Sequence, residues 1–284
     1  MKIIECPRDA MQGLHEFVPT DIKVKYINEL LKVGFDTIDF GSFVSPKAIP
    51  QLKDTAEVLA NLDLDDTHSK LLAIIANVRG AHDACNHAEI NYLGFPLSLS
   101  ETFQQRNTNK SITEAFEQVN IIQDLCHDHN KTLVTYLSMG FGNPYGDPYE
   151  MPYVADFISK LKAMDIQIIS LADTIGVSNP ENITNLFKGI TEEFGGIEFG
   201  VHLHSDLDSA IEKIDAAYKA GCRRFDGAIN GFGGCPMAED KLVGNIATET
   251  MLAYFEQHSI DVNYDHKVFQ HALNMAPEVF LGRH

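Results

Sequence analysis

His202-Leu203-His204 closes the apolar run Phe199-Gly200-Val201. On a β-strand, residues two apart point to the same face. This spacing can therefore bring two imidazoles to one point, as a metal site requires. His127-Asp128-His129 has the same spacing but falls in a helical pattern, where residues two apart diverge by about 200°. That second pair reads as solvated surface. For the first pair, metal ligation competes with a bland alternative, two core histidines bonded to backbone. Asp9 and Asn245 are further donors, and with His202 and His204 they offer a mixed nitrogen and oxygen set. Such a set suits an octahedral divalent ion, Mg²⁺ or Mn²⁺, with open positions, better than Zn²⁺.

Other residue types invite chemistry. Gly231-Phe232-Gly233-Gly234-Cys235-Pro236 is a glycine-rich loop with one thiol. Glycines let backbone take positive φ and approach a ligand closely, and a thiol there can serve as acid or base if its pKa is shifted. The competing reading is a tight turn with an incidental cysteine. Arg8 is suited to holding a planar enolate or carboxylate through its forked donors, or is an ion-pair partner at a strand end. Asp173 either braces a histidine or caps the following helix. Cys6, Cys85, Cys126 and Cys222 fall within strand or helix patterns and read as packing residues.

The elements that must position these residues alternate between two periods. Strand-like runs occur at Lys2–Glu5, Thr37–Phe40, Leu71–Ala76, Ile90–Phe95, Thr132–Ser138, Ile166–Ala172, Glu198–His204 and Arg224–Ile229. Helical patterns lie between them. Thr20 is placed to cap a helix that stops at Gly34, and Ser111-x-x-Glu114 is a capping box ahead of Ala115 and Phe116. Another helix runs from Pro180 to about Phe194, another stripe ends at Gly221, and a short helix is expected near Arg79–His87. The pattern predicts an α/β fold, a (β/α)8 TIM barrel with a C-terminal helical extension. A doubly wound open sheet is the alternative, and no GxGxxG follows the first strand to support it. Residues 1–258 are read as the barrel and 259–284 as a helical tail of the same domain.

In such a barrel, chemistry collects at the C-terminal ends of the strands. Arg8 and Asp9 follow the first strand, Asp39 ends the second, and Asn77 follows the third. Ser138 ends the fifth, Asp173 and Thr174 the sixth, and His202 and His204 the seventh; the glycine loop follows the eighth. This coincidence carries more than any single motif.

Composition narrows the function classes. The chain has 284 residues, 44% of them hydrophobic, and a formal net charge of -18. A phosphate-backbone binder would show a basic face, so a nucleic-acid partner is not expected. A small anion remains allowed, since a local cluster of Arg, Lys and metal can outweigh the global field. Five cysteines without paired spacing point to reduced thiols and a cytoplasmic location. No signal segment is read ahead of Lys2, and no apolar run reaches membrane-spanning length, so no membrane partner is expected.

Several of these motifs, taken in order, resemble the 3-hydroxy-3-methylglutaryl-CoA lyase family. Cys6-Pro7-Arg8-Asp9-Ala10-Met11-Gln12 resembles that family's "GPRDGLQ" opening. Ser42-Phe43-Val44-Ser45-Pro46-Lys47 with Pro50-Gln51, and Ser170-Leu171-Ala172-Asp173-Thr174-Ile175-Gly176-Val177, are similar to the segments after its second and sixth strands. His202-x-His204, Gly233-Gly234-Cys235-Pro236 and Gly244-Asn245-Ile246-Ala247-Thr248-Glu249 resemble its metal and signature-loop motifs. The resemblance spans about residues 3 to 258. It implies a TIM barrel binding Mg²⁺ or Mn²⁺ through Asp9, His202, His204 and Asn245. It also implies an acyl-CoA thioester substrate, a homodimer and a place in leucine degradation or ketone-body formation. Arg8 would stabilise an enolate, Cys235 would act as acid or base, and His202 would shuttle the substrate hydroxyl proton. Asp39 and Asp173 are the further catalytic candidates. Gln12, Ser138, Thr174, Gly233 and Gly234 are the expected ligand-contacting positions.

The chain departs from that pattern in places. Asp39 stands where the family has Glu, a side chain shorter by roughly 1.5 Å, about one C–C bond. Ser205-Asp206-Leu207-Asp208 replaces an Asp-Thr, and Asn143 replaces a Cys before Pro144. The stretch from Cys235 to Asn245 is one residue longer than in the animal enzymes. These changes spare the metal set and fall around the substrate. They leave open another 3-hydroxyacyl-CoA, a Claisen-type condensing enzyme, or a metal-binding barrel without catalysis. Lys47, Arg79, Arg106 and Lys110 are the candidate cations for CoA phosphates.

Overall fold

The computed structural model describes residues 1–233 and 244–281. Eight strands, β1 (Lys2–Glu5), β2 (Thr37–Ser42), β3 (Lys70–Ile74), β4 (Ile90–Ser98), β5 (Thr132–Ser138), β6 (Ile168–Ala172), β7 (Glu198–His202) and β8 (Arg224–Gly227), close into a barrel in chain order. Every neighbouring pair is parallel, including the closing pair of β1 with β8. The barrel rules out the open doubly wound sheet. Strands covered on both faces need continuous apolar runs rather than alternation, which is why these segments are rich in Ile, Val and Leu.

Leu72, Tyr92, Val134, Tyr136 and Ile168 fill the barrel interior, separate from the larger apolar layer between barrel and helices. Two glycines make room there. A Cβ at Gly94 would lie 2.5 Å from Ile74 Cδ1 and 3.1 Å from the Tyr136 ring, and one at Gly200 would lie 2.9 Å from Arg224 Cδ.

Most element boundaries follow the sequence, with informative exceptions. The seventh strand ends at His202 rather than His204. His204–Ser205 instead pairs antiparallel with Gly244–Asn245, a short ribbon outside the barrel sheet. Thr20 is not the cap of its helix (Thr20–Val33). Pro19 holds that position, and the Thr20 hydroxyl donates to Asp54 at 2.9 Å. Gly34 stops that helix with φ +92°, and Ser111 with Glu114 forms a complete capping box. The short helix expected near Arg79–His87 is Val78–Cys85, capped by the Asn77 side chain. His127 is exposed on the helix Ile112–Asp128, and His129 is exposed just past its end.

The tail forms a helix, His266–Phe280, lying against Thr20–Val33. Phe280 meets Tyr26 edge-on at 5.6 Å between ring centroids and stacks on Phe232 at 4.8 Å. Among the described residues, no helix is long and apolar enough to cross a membrane.

Candidate active site

The site begins with the six-residue helix Pro7–Gln12 that follows β1. Pro at its first turn fixes φ where the missing N–H costs nothing. One turn of helix then puts Arg8, Asp9 and Gln12 within reach of each other. Arg8 Nη1 donates to Asp9 Oδ1 and to Gln12 Oε1, each at 3.0 Å, and Gln12 Nε2 donates to Asp9 Oδ1 at 2.7 Å. On its other edge Arg8 grips Asp39, with Nε 3.0 Å from Oδ2 and Nη2 bonded to the same oxygen. Both side chains are buried.

The opposite wall comes from β7 and the ribbon. The rings of His202 and His204 stand 5.3 Å apart between centroids, so the two imidazoles do converge even though the strand ends between them. Nitrogens of both rings and an oxygen of Asp9 all lie within 4.8 Å of one another. Asn245 donates through Nδ2 to Asp9 Oδ2 at 2.7 Å and to the Phe232 carbonyl at 2.8 Å. Gly233 lies against this pair. With φ +97°, its added Cβ would meet Asn245 Nδ2 at 2.6 Å and Asp9 O at 3.0 Å, so only glycine fits.

The charge states follow from the surroundings. Burial opposes charge on Asp9, but Arg8, the two histidines and Asn245 outweigh it and hold Asp9 below the usual carboxylate range. Burial lifts Asp39 above that range, against the pull of Arg8. Arg8 remains a cation between two carboxylates despite its burial. Burial lowers His204 to about 4, with His202 adding to the effect. Its Nδ1 lies 3.2 Å from the Thr174 carbonyl, so Nδ1 carries the proton and Nε2 presents a lone pair. That Nε2 is buried and has no partner among the described residues. Burial opposes protonation of His202, but its contact with Asp226 and the Asp9 charge raise its pKa. Surroundings that favour a proton there favour a cation generally. A buried nitrogen lacking a partner, beside an ionised carboxylate and a second imidazole, is a donor set that could hold a metal ion.

These groups line a cleft of ≈ 340 Å³ at the C-terminal mouth of the barrel. Arg8, Asp9, Gln12, Ser138, Thr174, His202 and His204 face it, and Tyr136, Phe103 and Asn107 close its sides. A larger groove of ≈ 590 Å³ lies outside the barrel, along the helices Pro180–Glu193 and Ala210–Lys219; none of the site residues above line it.

Some expected residues sit elsewhere. Asp173 lies under the site. Its carboxylate accepts from Val177 N at 2.9 Å, Ser178 N at 3.1 Å and Lys213 Nζ at 3.3 Å, while Lys213 also donates to the His204 carbonyl. It shapes the loop after β6, and the cap of the next helix is Asn179. Lys47, Arg79, Arg106 and Lys110 do not line the cleft, although Ala48 and Asn107, next to two of them, do. Gly234 and Cys235 lie outside the described residues. The residue the sequence reading missed is Asp226, whose Oδ2 lies 3.2 Å from His202 Nδ1. Its signal was the alternation Arg224-Phe225-Asp226, which sends two charged side chains to the barrel interior.

A family model described as HMGL-like matches residues 2–276. The chain belongs to the HMGL-like family. Among HMGL-like relatives, the hydroxymethylglutaryl-CoA lyase YngG of Bacillus subtilis is 32% identical over 257 residues, 90% of this chain and 85% of that one. The human cytoplasmic 3-hydroxy-3-methylglutaryl-CoA lyase is 32% identical over 255 residues, 89% of this chain and 68% of its own. An HMG-CoA lyase from Acinetobacter baumannii, solved with coenzyme A and 3-methylmalate, superposes with a TM-score of 0.91 at 30% identity, covering 99% of this chain and 91% of that one.

Proposed function

We propose that this protein is a divalent-metal-dependent carbon–carbon lyase that cleaves 3-hydroxy-3-methylglutaryl-CoA to acetoacetate and acetyl-CoA. The observation that carries the reading is the convergence of Asp9, His202 and His204 within 4.8 Å, beside a buried Arg8 in an HMGL-like barrel. Asp9, His202, His204 and Asn245 would hold Mg²⁺ or Mn²⁺. Such an ion, when bound, supplies a Lewis acid that lowers the pKa of the tertiary hydroxyl.

The chain's own residues do the rest. The hydroxyl gives its proton to water in the cleft, the C2–C3 bond breaks, and its electron pair passes into the thioester enolate while C3 becomes the ketone of acetoacetate. Arg8, clamped by Asp39 and Gln12, offsets the charge on the thioester oxygen without reorganising. His202 turns Nδ1 to Asp226 and has one nitrogen left for the cleft. That nitrogen serves the cation or the substrate proton, not both. We therefore assign His202 to holding the cation, in place of the proton-shuttle role that the resemblance implies. Cys235 is assigned the proton that returns to the enolate carbon. Ile74, Ala76, Pro96 and Phe103 keep the wall of the cleft apolar around the acyl chain. Gln12, Ser138 and Thr174 are the polar contacts to the substrate. The reading extends to a homodimeric, cytoplasmic enzyme of leucine degradation.

Incubation of the purified chain with the thioester and Mn²⁺ tests it. Acetoacetate release that is abolished by EDTA and restored by added metal supports the lyase. A folded, metal-loaded chain that releases none overturns it.

A further inference from the structure

We propose that Cys6, His202 and Asp226 form a second cation site, one layer deeper in the barrel, which takes a thiophilic divalent ion and competes with the first site for His202. A ligand atom from each lies within 4.8 Å of the others. Cys6 is 1% exposed and Asp226 3%. Asp226 Oδ1 is buried and has no partner among the described residues. The Cys6 Sγ makes a weak contact with the Ile4 carbonyl at 3.6 Å.

The two nitrogens of His202 face different chemistry. Nε2 lies 4.0 Å from Asp9 Oδ2, on the side of the oxygen-rich set. Nδ1 lies 3.2 Å from Asp226, on the side of the thiol. A sulfur, a nitrogen and a carboxylate oxygen supply three of the four donors of a tetrahedral Zn²⁺ or Cd²⁺ site, with water as the fourth, and suit Mg²⁺ poorly. Burial pushes the Cys6 thiol up, Asp226, Asp39 and Asp9 push it further, and Arg8 opposes them. Those carboxylates disfavour a bare thiolate but favour an arriving cation, which displaces the thiol proton to solvent. Cys6 also stands where the "GPRDGLQ" opening has glycine, so the thiol is a feature of this chain's own sequence.

Competition follows from the single proton of a neutral imidazole. When Nε2 binds a hard ion, the proton sits on Nδ1 and points at Asp226. An ion at Nδ1 requires that nitrogen bare. Each ion therefore weakens the other, and by linkage the factor is the same in both directions. This inference does not depend on the lyase reading, because metal binding alone reports on it.

The metal-free full chain is titrated with Cd²⁺ while the ultraviolet thiolate-to-cadmium absorption is followed. The free Mn²⁺ signal in electron paramagnetic resonance then gives Mn²⁺ affinity with and without Cd²⁺. The expected result is a band at one equivalent in the wild type and in Cys235→Ala, and no band in Cys6→Ser. Saturating Mn²⁺ should raise the Cd²⁺ needed for half of the band about tenfold in the wild type, and Cd²⁺ at the thiol should weaken Mn²⁺ by the same factor, within the usual range of coupling between sites. Cys6→Ala replaces the serine variant if that variant has lost Mn²⁺ binding on its own. A band that survives loss of Cys6, or that disappears with Cys235, overturns the proposal, as does Mn²⁺ affinity indifferent to Cd²⁺.

Discussion

His202 and Asp226 lie side by side in the register of β7 and β8, and their side chains meet with Nδ1 3.2 Å from Oδ2. A carboxylate in this position fixes the ring and the tautomer and leaves Nε2 free for the cleft. Asp226→Asn keeps the shape and removes the charge. We expect Mn²⁺ affinity to fall by about 10- to 100-fold, the usual cost of losing a partner behind a ligand. Isothermal titration of the metal-free variant measures this, and an unchanged affinity would remove Asp226 from the site.

Arg8 is held along two edges, by Asp39 on one side and by Asp9 and Gln12 on the other. Lysine keeps the charge but cannot fill both edges. Arg8→Lys should lower kcat on the order of 10²- to 10³-fold, as removal of an oxyanion donor does, with Mn²⁺ affinity within a few-fold of wild type. A loss confined to KM would place Arg8 in ground-state binding instead.

Glu5 offers a test on stability. It is buried beneath the closing seam of the barrel, accepting from Ile229 N at 2.9 Å and from the Thr248 hydroxyl. Burial raises its pKa from 4.5 to about 8. The folded chain therefore binds this proton more tightly than the unfolded chain does. The stabilisation is complete below the unfolded value and is lost as pH rises through the folded one. Stability should fall between pH 4.5 and about 8, by an amount on the order of a few kcal/mol. Glu5→Gln, permanently neutral, should flatten that slope in urea unfolding at several pH values. A variant with the wild-type slope would show that other groups set it.

Gly233 gives a local test. An alanine Cβ there would stand 2.6 Å from Asn245 Nδ2 and would also need φ +97°. Gly233→Ala should displace Asn245 and weaken Mn²⁺ binding by at least about tenfold, since partners around metal ligands cost that much when disturbed. Its unfolding free energy should fall by only about 1–2 kcal/mol, the usual strain of a non-glycine residue in this region. Unchanged metal affinity would mean that Asn245 is not a ligand.

The sequence exposed what depends on local periodicity and chemical type. Eight apolar runs announced the barrel because a strand buried on both faces has little choice but Ile, Val and Leu. Arg8, Asp9, His202 and His204 were legible because strand ends in a barrel share one face. The alternation Arg224-Phe225-Asp226 turns Asp226 to the barrel interior, but its pairing with His202 depends on lateral register between two strands, which no single segment encodes. The role of Asp173 stayed open between two readings for a related reason. A carboxylate at a strand end looks the same whether it faces the cleft or is taken up, as here, by Ser178 and Lys213. The break of β7 at His202 was also hidden, because it comes from pairing of His204 with Asn245, distant in sequence.

The hydrogen bond from Asn245 to Asp9 joins residues 236 positions apart. A chain still emerging from the ribosome has Asp9 long before it has Asn245, and has both histidines only when most of its length is made. The proposed cation pocket therefore lacks the bond between Asn245 and Asp9 on any product that stops short of Asn245. Capture of an ion by that proposed set would thus report that the whole ring has closed.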